Sequence, residues 1–467
     1  MKDFESHSAN RHALLAFVAS SYSEYEEWHG AKLKGSVLPC SPQQAIEELE
    51  NSMLRGRGGA GFPTGKKWRT LYEHPCQTRY AVCNAAEGEP GTFKDRYLLR
   101  KNPYAVLEGL AMAAAAIGAK AAYVVLKASF EAELASLKKA WREMKRRAEF
   151  KRLSIHFVQG PEEYLLGEEK ALLSVIENEG PFPRPADEPP YERGLFATPV
   201  SPNPALVNNA ETLAHVATIL RHGAASFRRL GSEDTPGTLL VTLSGDVARP
   251  GVYEVEAGKT LRSLLQEEGG GPTNGRGWKG LLCGVSSALI PPEKFDTPAE
   301  FGALRAIGSN LGSAGFIALG ERAPMRSVTE AVTRFLYVES CNQCSACKAG
   351  LRQAWRELGD DPSKELDDHD IDELLAGAEL APQGNRCYLP VQGAQLIPSL
   401  LHRFEAELRR PADAEWTLPK MVDYDEESHR FTYDERQKLK RPDWSYAEPA
   451  EGADAHDRGS PAHGGLV

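Results

Sequence analysis

The chain has 467 residues, 41% hydrophobic and 26% charged, which is enough for about two to four domains with a substantial buried core. With 65 acidic residues against 55 basic ones, its net charge of −10 lacks the basic excess of nucleic-acid-binding domains, and no nucleic-acid partner is expected. The longest apolar stretch, at 110–117, is too short to span a bilayer, and the opening MKDFESHSANRH carries no export signal, so the expected location is cytoplasmic.

Residues 1–40 are expected to form an N-terminal helical segment, and 44–54 a helix. LRGRGGAGFPTGKKW follows at 54–68, with glycines at Gly56, Gly58, Gly59, Gly61 and Gly65. Such a loop can take positive φ and bring backbone N–H groups close to a ligand, as a phosphate cradle requires. It lacks the G-x4-G-K-[ST] pattern, and no apolar strand precedes it, so a dinucleotide fingerprint has no context here. Phe62, Pro63 and Trp68 argue against a flexible linker. A short strand at 80–83 leads into NAAEGEPGTFKDR, with Glu87 and Glu89 on a turn at the strand's C-terminal end, where open α/β sheets place ligand loops. A helix at 102–118, a strand at 121–127, a charged helix at 130–147 and a strand at 154–158 predict a parallel sheet with crossover helices. EYLLGEEKALL then puts Gly167, Glu168 and Glu169 at a helix start, where acidic residues also serve simply to complement the helix dipole.

Further on, TLLVTLSGDVARPGVYEV reads as two β-rich runs joined by a turn, followed by a helix at 261–268. Of eight cysteines, Cys40, Cys76, Cys83 and Cys283 are scattered and read as small buried hydrophobes or spectators. ESCNQCSACKAG at 339–350 is different. The C-x2-C-x2-C run of Cys341, Cys344 and Cys347 is typical of ligands to a [4Fe-4S] cluster, whereas structural zinc more often uses two separated pairs. Cys387 is the only cysteine downstream, and a helical hairpin across the polar stretch between would return it to the loop as fourth ligand. Residues 410–467 read as an extended charged tail.

Taken in order, RGRGGAGFPTG, CN-x-x-E-x-EPGTFKDR, Y-x-x-GEE-x-AL, NN-x-ET at 208–212, SGDVARPGVYEV and ESC-x-x-C-x-x-C resemble the NADH-binding FMN subunit of respiratory complex I. The same motifs resemble its relatives, the diaphorase subunits of NAD-linked hydrogenases and formate dehydrogenases. The resemblance implies an α/β class fold. It comprises a Rossmann-like FMN- and NADH-binding domain at 41–230, a β-grasp (SLBB-type) domain at 236–320 and a helical [4Fe-4S] domain at 325–408. It implies that Gly58, Gly59, Gly61 and Lys67 lie near the flavin phosphate and the dinucleotide. Asn84, Glu87, Tyr164, Gly167, Asn208, Asn209 and Thr212 would line FMN. Phe62 and Tyr191 would stack on the adenine side of NADH, and Glu89 and Glu169 would meet its ribose and nicotinamide. Gly56, Gly65 and Glu168 complete the implied cofactor-binding set. The implied partners are a thioredoxin-fold [2Fe-2S] subunit and a larger iron–sulfur subunit, with membrane contact only through them, peripheral to the inner membrane.

The chain departs from the family in places. Where CNADESEPG is usual it has CNAAEGEPG, so that Ala86 replaces Asp and Gly88 replaces Ser. Aligning EPPY with the family's K-PPF segment puts Glu188 in place of a lysine near the pyrophosphate, which predicts weaker NADH binding. Competing expectations are a diaphorase of a soluble hydrogenase or formate dehydrogenase, and an electron-transfer scaffold that no longer binds dinucleotide.

Overall fold

The computed structural model describes residues 11–30, 33 and 35–447. The sheet that the alternating pattern predicts is present: β1 (Tyr80–Asn84), β2 (Ala121–Lys127), β3 (Ile155–Gly160) and β4 (Ala205–Asn209) form a parallel sheet in the order β3-β2-β1-β4. The residues of β1, β2 and β4 are mostly apolar and buried, as parallel strands covered on both faces require, whereas edge strand β3 is buried only at its two ends. Helix Pro103–Ile117, almost wholly buried and rich in alanine, packs closely on helix Ala210–His222 behind the sheet. All four strands end at one rim, and β1 and β4 pair so that Asn84 lies opposite Asn209. That register brings two motifs more than a hundred residues apart to one place.

A second sheet has β5 (Thr238–Gly245), β6 (Gly251–Glu256), β7 (Trp278–Cys283) and β8 (Gly315–Gly320) in the order β6-β5-β8-β7. Its central pair β5–β8 is parallel and the outer pairs are antiparallel. The helix expected at 261–268 is one short turn, Leu261–Ser263, running into a wider turn at Leu264–Glu268.

The third part is helical: Met325–Glu339, Ser345–Gly359, Asp368–Leu380 and Leu389–Leu408. The middle two form the expected hairpin. They cross where Gly350 meets Gly377, so closely that a Cβ on Gly350 would lie 2.4 Å from the Gly377 carbonyl oxygen and one on Gly377 2.6 Å from that of Gly350. No side chain fits without parting the backbones. Gly377→Ala is therefore expected to lower stability by about 1–3 kcal/mol, read as a fall in the melting temperature with weaker retention of iron; an unchanged melting curve would contradict the crossing.

Two expectations about the ends are corrected. Of the N-terminal segment, only Tyr22–His29 is an α-helix among its described residues; residues 1–10 lie outside them. The described part of the tail is not extended. β9 (Met421–Asp425) and β10 (Arg430–Tyr433) form a hairpin, and the short helix Glu435–Leu439 follows. The hairpin's Met421 and Phe431 pack with Phe93 and Val252, and Asp423 pairs with Arg100. Its alternating residues were masked in the sequence by the surrounding charge. Residues 448–467 lie outside the described residues. No helix among the described residues is long and apolar enough to cross a membrane.

Candidate cofactor site and cluster cavity

The glycine loop stands beside the common rim of the sheet and is fixed from several sides. Gly56 N–H donates to the Phe62 carbonyl, closing the loop on itself. Arg57 N–H donates to the Thr212 hydroxyl at 2.8 Å. Arg55 pairs with Asp234, and Gly59 bridges Gly312 of the second sheet's domain. Gly59 has φ +135°, a conformation that favours glycine, and a side chain there would meet no atom within 4 Å. This open face at a positive-φ glycine fits a phosphate-bearing group. Gly65 does not belong to it. It lies inside helix Thr64–Glu73, where a Cβ would come within 2.5 Å of the Glu50 backbone nitrogen, so its role is helix packing.

At the rim, Asn84 Nδ2 donates to the Gly167 carbonyl at 2.7 Å, and its oxygen accepts from Ala86 N–H. Asn209 caps helix Ala210–His222 through its oxygen and donates Nδ2 to Asp95 at 2.6 Å. Asn208 and Thr212 are buried behind this surface: Asn208 Oδ1 accepts from Trp68 Nε1 at 3.0 Å, and Thr212 anchors the glycine loop. They hold the cradle from behind rather than facing open space, a distinction the motif cannot show. Gly88, where the family has Ser, leaves room for the buried Lys127 ammonium, 2.9 Å from where a Cβ would sit.

The four carboxylates divide by partner. Glu87 accepts from the N–H groups of Asp95 and Arg96 and caps helix Lys94–Lys101 from outside. Glu168 is the N-cap of helix Glu169–Ile176, accepting from Lys170 and Ala171 N–H, so the dipole-complement reading holds for it. Glu169 pairs with Lys67 and keeps much of its side chain exposed. Glu89 accepts from the Tyr164 hydroxyl at 2.6 Å and from Val285 N–H at 2.7 Å. Phe62 and Tyr191 are 50% and 40% exposed, open to stacking. Pro190, however, bonds Ala205 at the start of β4, which sets Tyr191 at the end of the sheet away from Asn84 and Asn209. Glu188 pairs with Arg193 at 2.6 Å, so its charge is already answered within its own loop.

Burial pushes the Glu89 carboxyl up to about 7, against the two hydrogen bonds that favour its ionised form. The folded chain therefore holds this proton more tightly than the unfolded chain. The stability it contributes is complete below about pH 4.5 and is lost as pH rises through about 7. Cofactor-free protein should melt at lower temperature as pH is raised from about 5 to about 7.5, with a shallower fall in Glu89→Gln. Equal slopes would show that Glu89 does not titrate there.

Sequence reasoning passed over the ion cluster beneath the rim. The Lys94 ammonium, essentially unexposed, touches Asp95 at 2.8 Å and Glu211 at 2.7 Å. Burial works to lower Lys94, but Asp95, Glu211 and Glu87 outweigh it and raise it above the usual lysine value. Burial likewise opposes Glu211, yet Lys94 leads the neighbours that hold it down at about 2. The signal was present in FKDR and NN-x-ET, each of which places charge beside a buried turn.

The four cysteines come together. Cys344 is the residue before helix Ser345–Gly359, Cys347 is in its first turn, and Cys387 stands just before helix Leu389–Leu408. With Cys341 they line one small cavity, closed by Leu165, Pro183, Leu389 and Pro390. Burial raises the Cys341, Cys347 and Cys387 thiols, an arrangement that bound iron would offset by stabilising thiolate. No three His, Cys, Asp or Glu side chains among the described residues converge closely enough for a single metal ion. The donor set lining the cavity, four cysteines with one thiolate available to each iron, fits a four-iron cluster.

A phosphate-suited glycine loop on a parallel sheet, joined to a four-cysteine cavity, defines a flavin- and iron–sulfur-containing electron carrier. Family models match three segments: the Nuo51 FMN-binding domain at 49–218, the SLBB domain at 240–286, and the NADH-ubiquinone oxidoreductase-F iron-sulfur binding region at 327–411. One of the NADH-quinone oxidoreductase F subunits of Rhizobium meliloti (strain 1021), the second by name, is 35% identical over 395 residues, covering 82% of this chain and 93% of that one. The NADH-quinone oxidoreductase F subunit of Aquifex aeolicus (strain VF5) is 31% identical over 408 residues, covering 85% and 93%. The chain belongs to the family of NADH-quinone oxidoreductase F subunits. A chain in the crystal structure of NAD+-reducing [NiFe]-hydrogenase in the air-oxidized state is also similar, with TM-score 0.74 and 30% identity. That match covers 82% of this chain and 66% of the hydrogenase chain, just under two thirds of its length.

Proposed function

We propose that this chain is the electron-input subunit of a larger redox assembly, taking hydride from NADH onto FMN and passing electrons through its [4Fe-4S] cluster to partner subunits. When bound, FMN accepts two electrons as hydride and releases them singly to a one-electron iron–sulfur centre. The observation that carries the reading is Tyr164. Its hydroxyl donates to Glu89 on the flavin-side turn and accepts from Gln392 Nε2 at 2.9 Å, on the helix that follows Cys387. One side chain thus ties the flavin rim to the cluster domain.

The remaining roles fall to residues at the rim. Gly58, Gly59 and Gly61 would offer backbone N–H groups to the flavin phosphate, and Asn84 and Asn209 would hold the rim beside the flavin. Lys67 lies where it can turn from Glu169 to a pyrophosphate. Glu169 then accepts from ribose hydroxyls and repels a 2′-phosphate, which selects NADH over NADPH. A subunit with this flavin and one cluster needs an onward acceptor, and the implied partners are a thioredoxin-fold [2Fe-2S] subunit and a larger iron–sulfur subunit, through which any membrane contact is made. The likeness to the hydrogenase chain favours, as a second reading, a diaphorase running toward NAD+ reduction.

Anaerobic titration of FMN-loaded protein, followed by flavin bleaching, tests the proposal. NADH should bleach the flavin and NADPH should not. Because Arg193 already answers the Glu188 charge, Glu188→Gln should shift the half-bleaching NADH concentration by no more than about twofold. No bleaching by either nucleotide would favour the scaffold reading.

A further inference from the structure

We infer that the C-terminal segment 434–447 is a clamp on the cluster loop, and that Lys440 is the positioning residue through which it holds that loop against the flavin-side Tyr164. The inference rests on the electron path proposed above and concerns a segment that supplies no cysteine.

Lys440 is 0% exposed. Its ammonium contacts both carboxylate oxygens of Glu339, at 2.8 and 2.9 Å. Glu339 is equally buried and stands two residues before Cys341. The same carboxylate accepts from Tyr164 N–H at 3.0 Å and from Gln437 Nε2 at 3.3 Å. One buried anion is therefore shared by three parts of the chain: the loop carrying Tyr164, the approach to Cys341, and the C-terminal segment.

The rest of the segment is fastened around the same loop. Arg334 donates to the carbonyls of Gln437, Lys438 and Lys440, and Lys348 Nζ donates to that of Pro442. Trp444 Nε1 donates to the Val338 carbonyl at 2.9 Å, and its ring stacks on Phe182 with centroids 5.7 Å apart. Phe182 precedes Pro183, which walls the cysteine cavity. The segment thus grips chain on both sides of Cys341 and reaches across the cavity. The nearest cations along the chain, Arg334 and Lys348, spend their N–H groups on backbone carbonyls. Against the burial of Glu339, Lys440, in direct contact, leads the cations that hold it ionised, with Lys420 second and not in contact. Removing that ammonium strands a buried carboxylate beside the cluster loop and frees the loop from its clamp. Groups that orient metal ligands in this way matter nearly as much as the ligands themselves.

The test mixes full-length protein carrying FMN and cluster with NADH in an anaerobic stopped flow, following flavin bleaching and cluster reduction separately, with the reduced cluster recorded by EPR. Three variants are compared: Lys440→Met, Lys440→Arg, and Glu339→Gln with Lys440→Met. Flavin bleaching should be unchanged in all three. Cluster reduction should slow between about 10- and 100-fold in Lys440→Met, with an altered EPR signal, and recover in Lys440→Arg. The double variant should stay slow, because the tether is gone although Glu339 no longer carries a charge; Glu163, the other carboxylate near Lys440 at 4.0 Å, is only half-buried. Recovery in the double variant would show that Lys440 only neutralises a buried charge, and a wild-type rate in Lys440→Met would show that it does neither; both overturn the inference. Failure of NADH to bleach wild-type flavin would instead overturn the proposed function. Should Lys440→Met not retain iron, Trp444→Phe carries the test, since it removes the bond to Val338 and keeps the ion pair. Slower cluster reduction there supports the clamp, and an unchanged rate refutes it.

Discussion

Replacing Cys387 by alanine is expected to leave a folded, flavin-binding protein that has lost its cluster. Cys387 lines the cavity with Cys341, Cys344 and Cys347, and no other cysteine lines it. The core of the helical domain is built on Leu336, Leu351, Leu374, Leu396 and Leu400, and the partly buried Cys387 only packs against it. After anaerobic reconstitution the wild type should hold about four irons per chain and Cys387→Ala less than about one. Cys283→Ala, which removes a buried thiol of the second sheet, should keep its iron and serves as the control. NADH should still bleach the flavin of Cys387→Ala, because the glycine loop and the rim are untouched. Full iron content in this variant would mean that another group completes the cluster.

The second large effect is expected at Lys94, and it falls on stability. The ammonium lies between Asp95 and Glu211, and Glu87 is close enough to raise its pKa. Lys94→Met fills similar space but leaves these carboxylates facing one another away from water. Breaking a buried pair by removing one partner costs about 3–5 kcal/mol. The loss should appear as a much lower melting temperature at neutral pH, partly regained on acidification as the stranded carboxylates take up protons. Flavin affinity should fall as well, since Asp95 loses the cation that orients it toward Asn209 at the rim. Adding Glu211→Gln to Lys94→Met should recover part of the stability. If Lys94→Met melts like the wild type, the ion cluster is not what supports the rim.

The order of motifs along the chain was legible without coordinates. The glycine loop, the alternating strands and helices and the cysteine run each obey a local rule: positive φ at glycine, buried apolar strands between helices, and a fixed spacing of ligands. Cys387 could be named by elimination. What local rules cannot express is which atom a polar side chain faces. Gly65 sits in the same run as Gly59 yet serves a helix crossing, and Glu168 sits beside Glu169 yet caps a helix. Asn208 and Asn209 are adjacent, but alternation along β4 sends one to Trp68 and the other to Asp95. Likewise Glu188 found a partner five residues away, which an alignment of the PPY step could not foresee.

By itself, then, the sequence determined the alternating strands and helices, the four thiols and the loop that suits a phosphate, because these depend on residue type, spacing and periodicity; the three modules followed from the resemblance that its ordered motifs carry. The tertiary structure alone decided that Lys94 lies between Asp95 and Glu211, that Tyr164 joins Glu89 to Gln392, and that residues 434–447 fold back to set Lys440 on Glu339. Those pairings join segments up to 228 residues apart. A buried charge finds its counter-ion where the packed chain places one, and neither spacing nor composition records where that is.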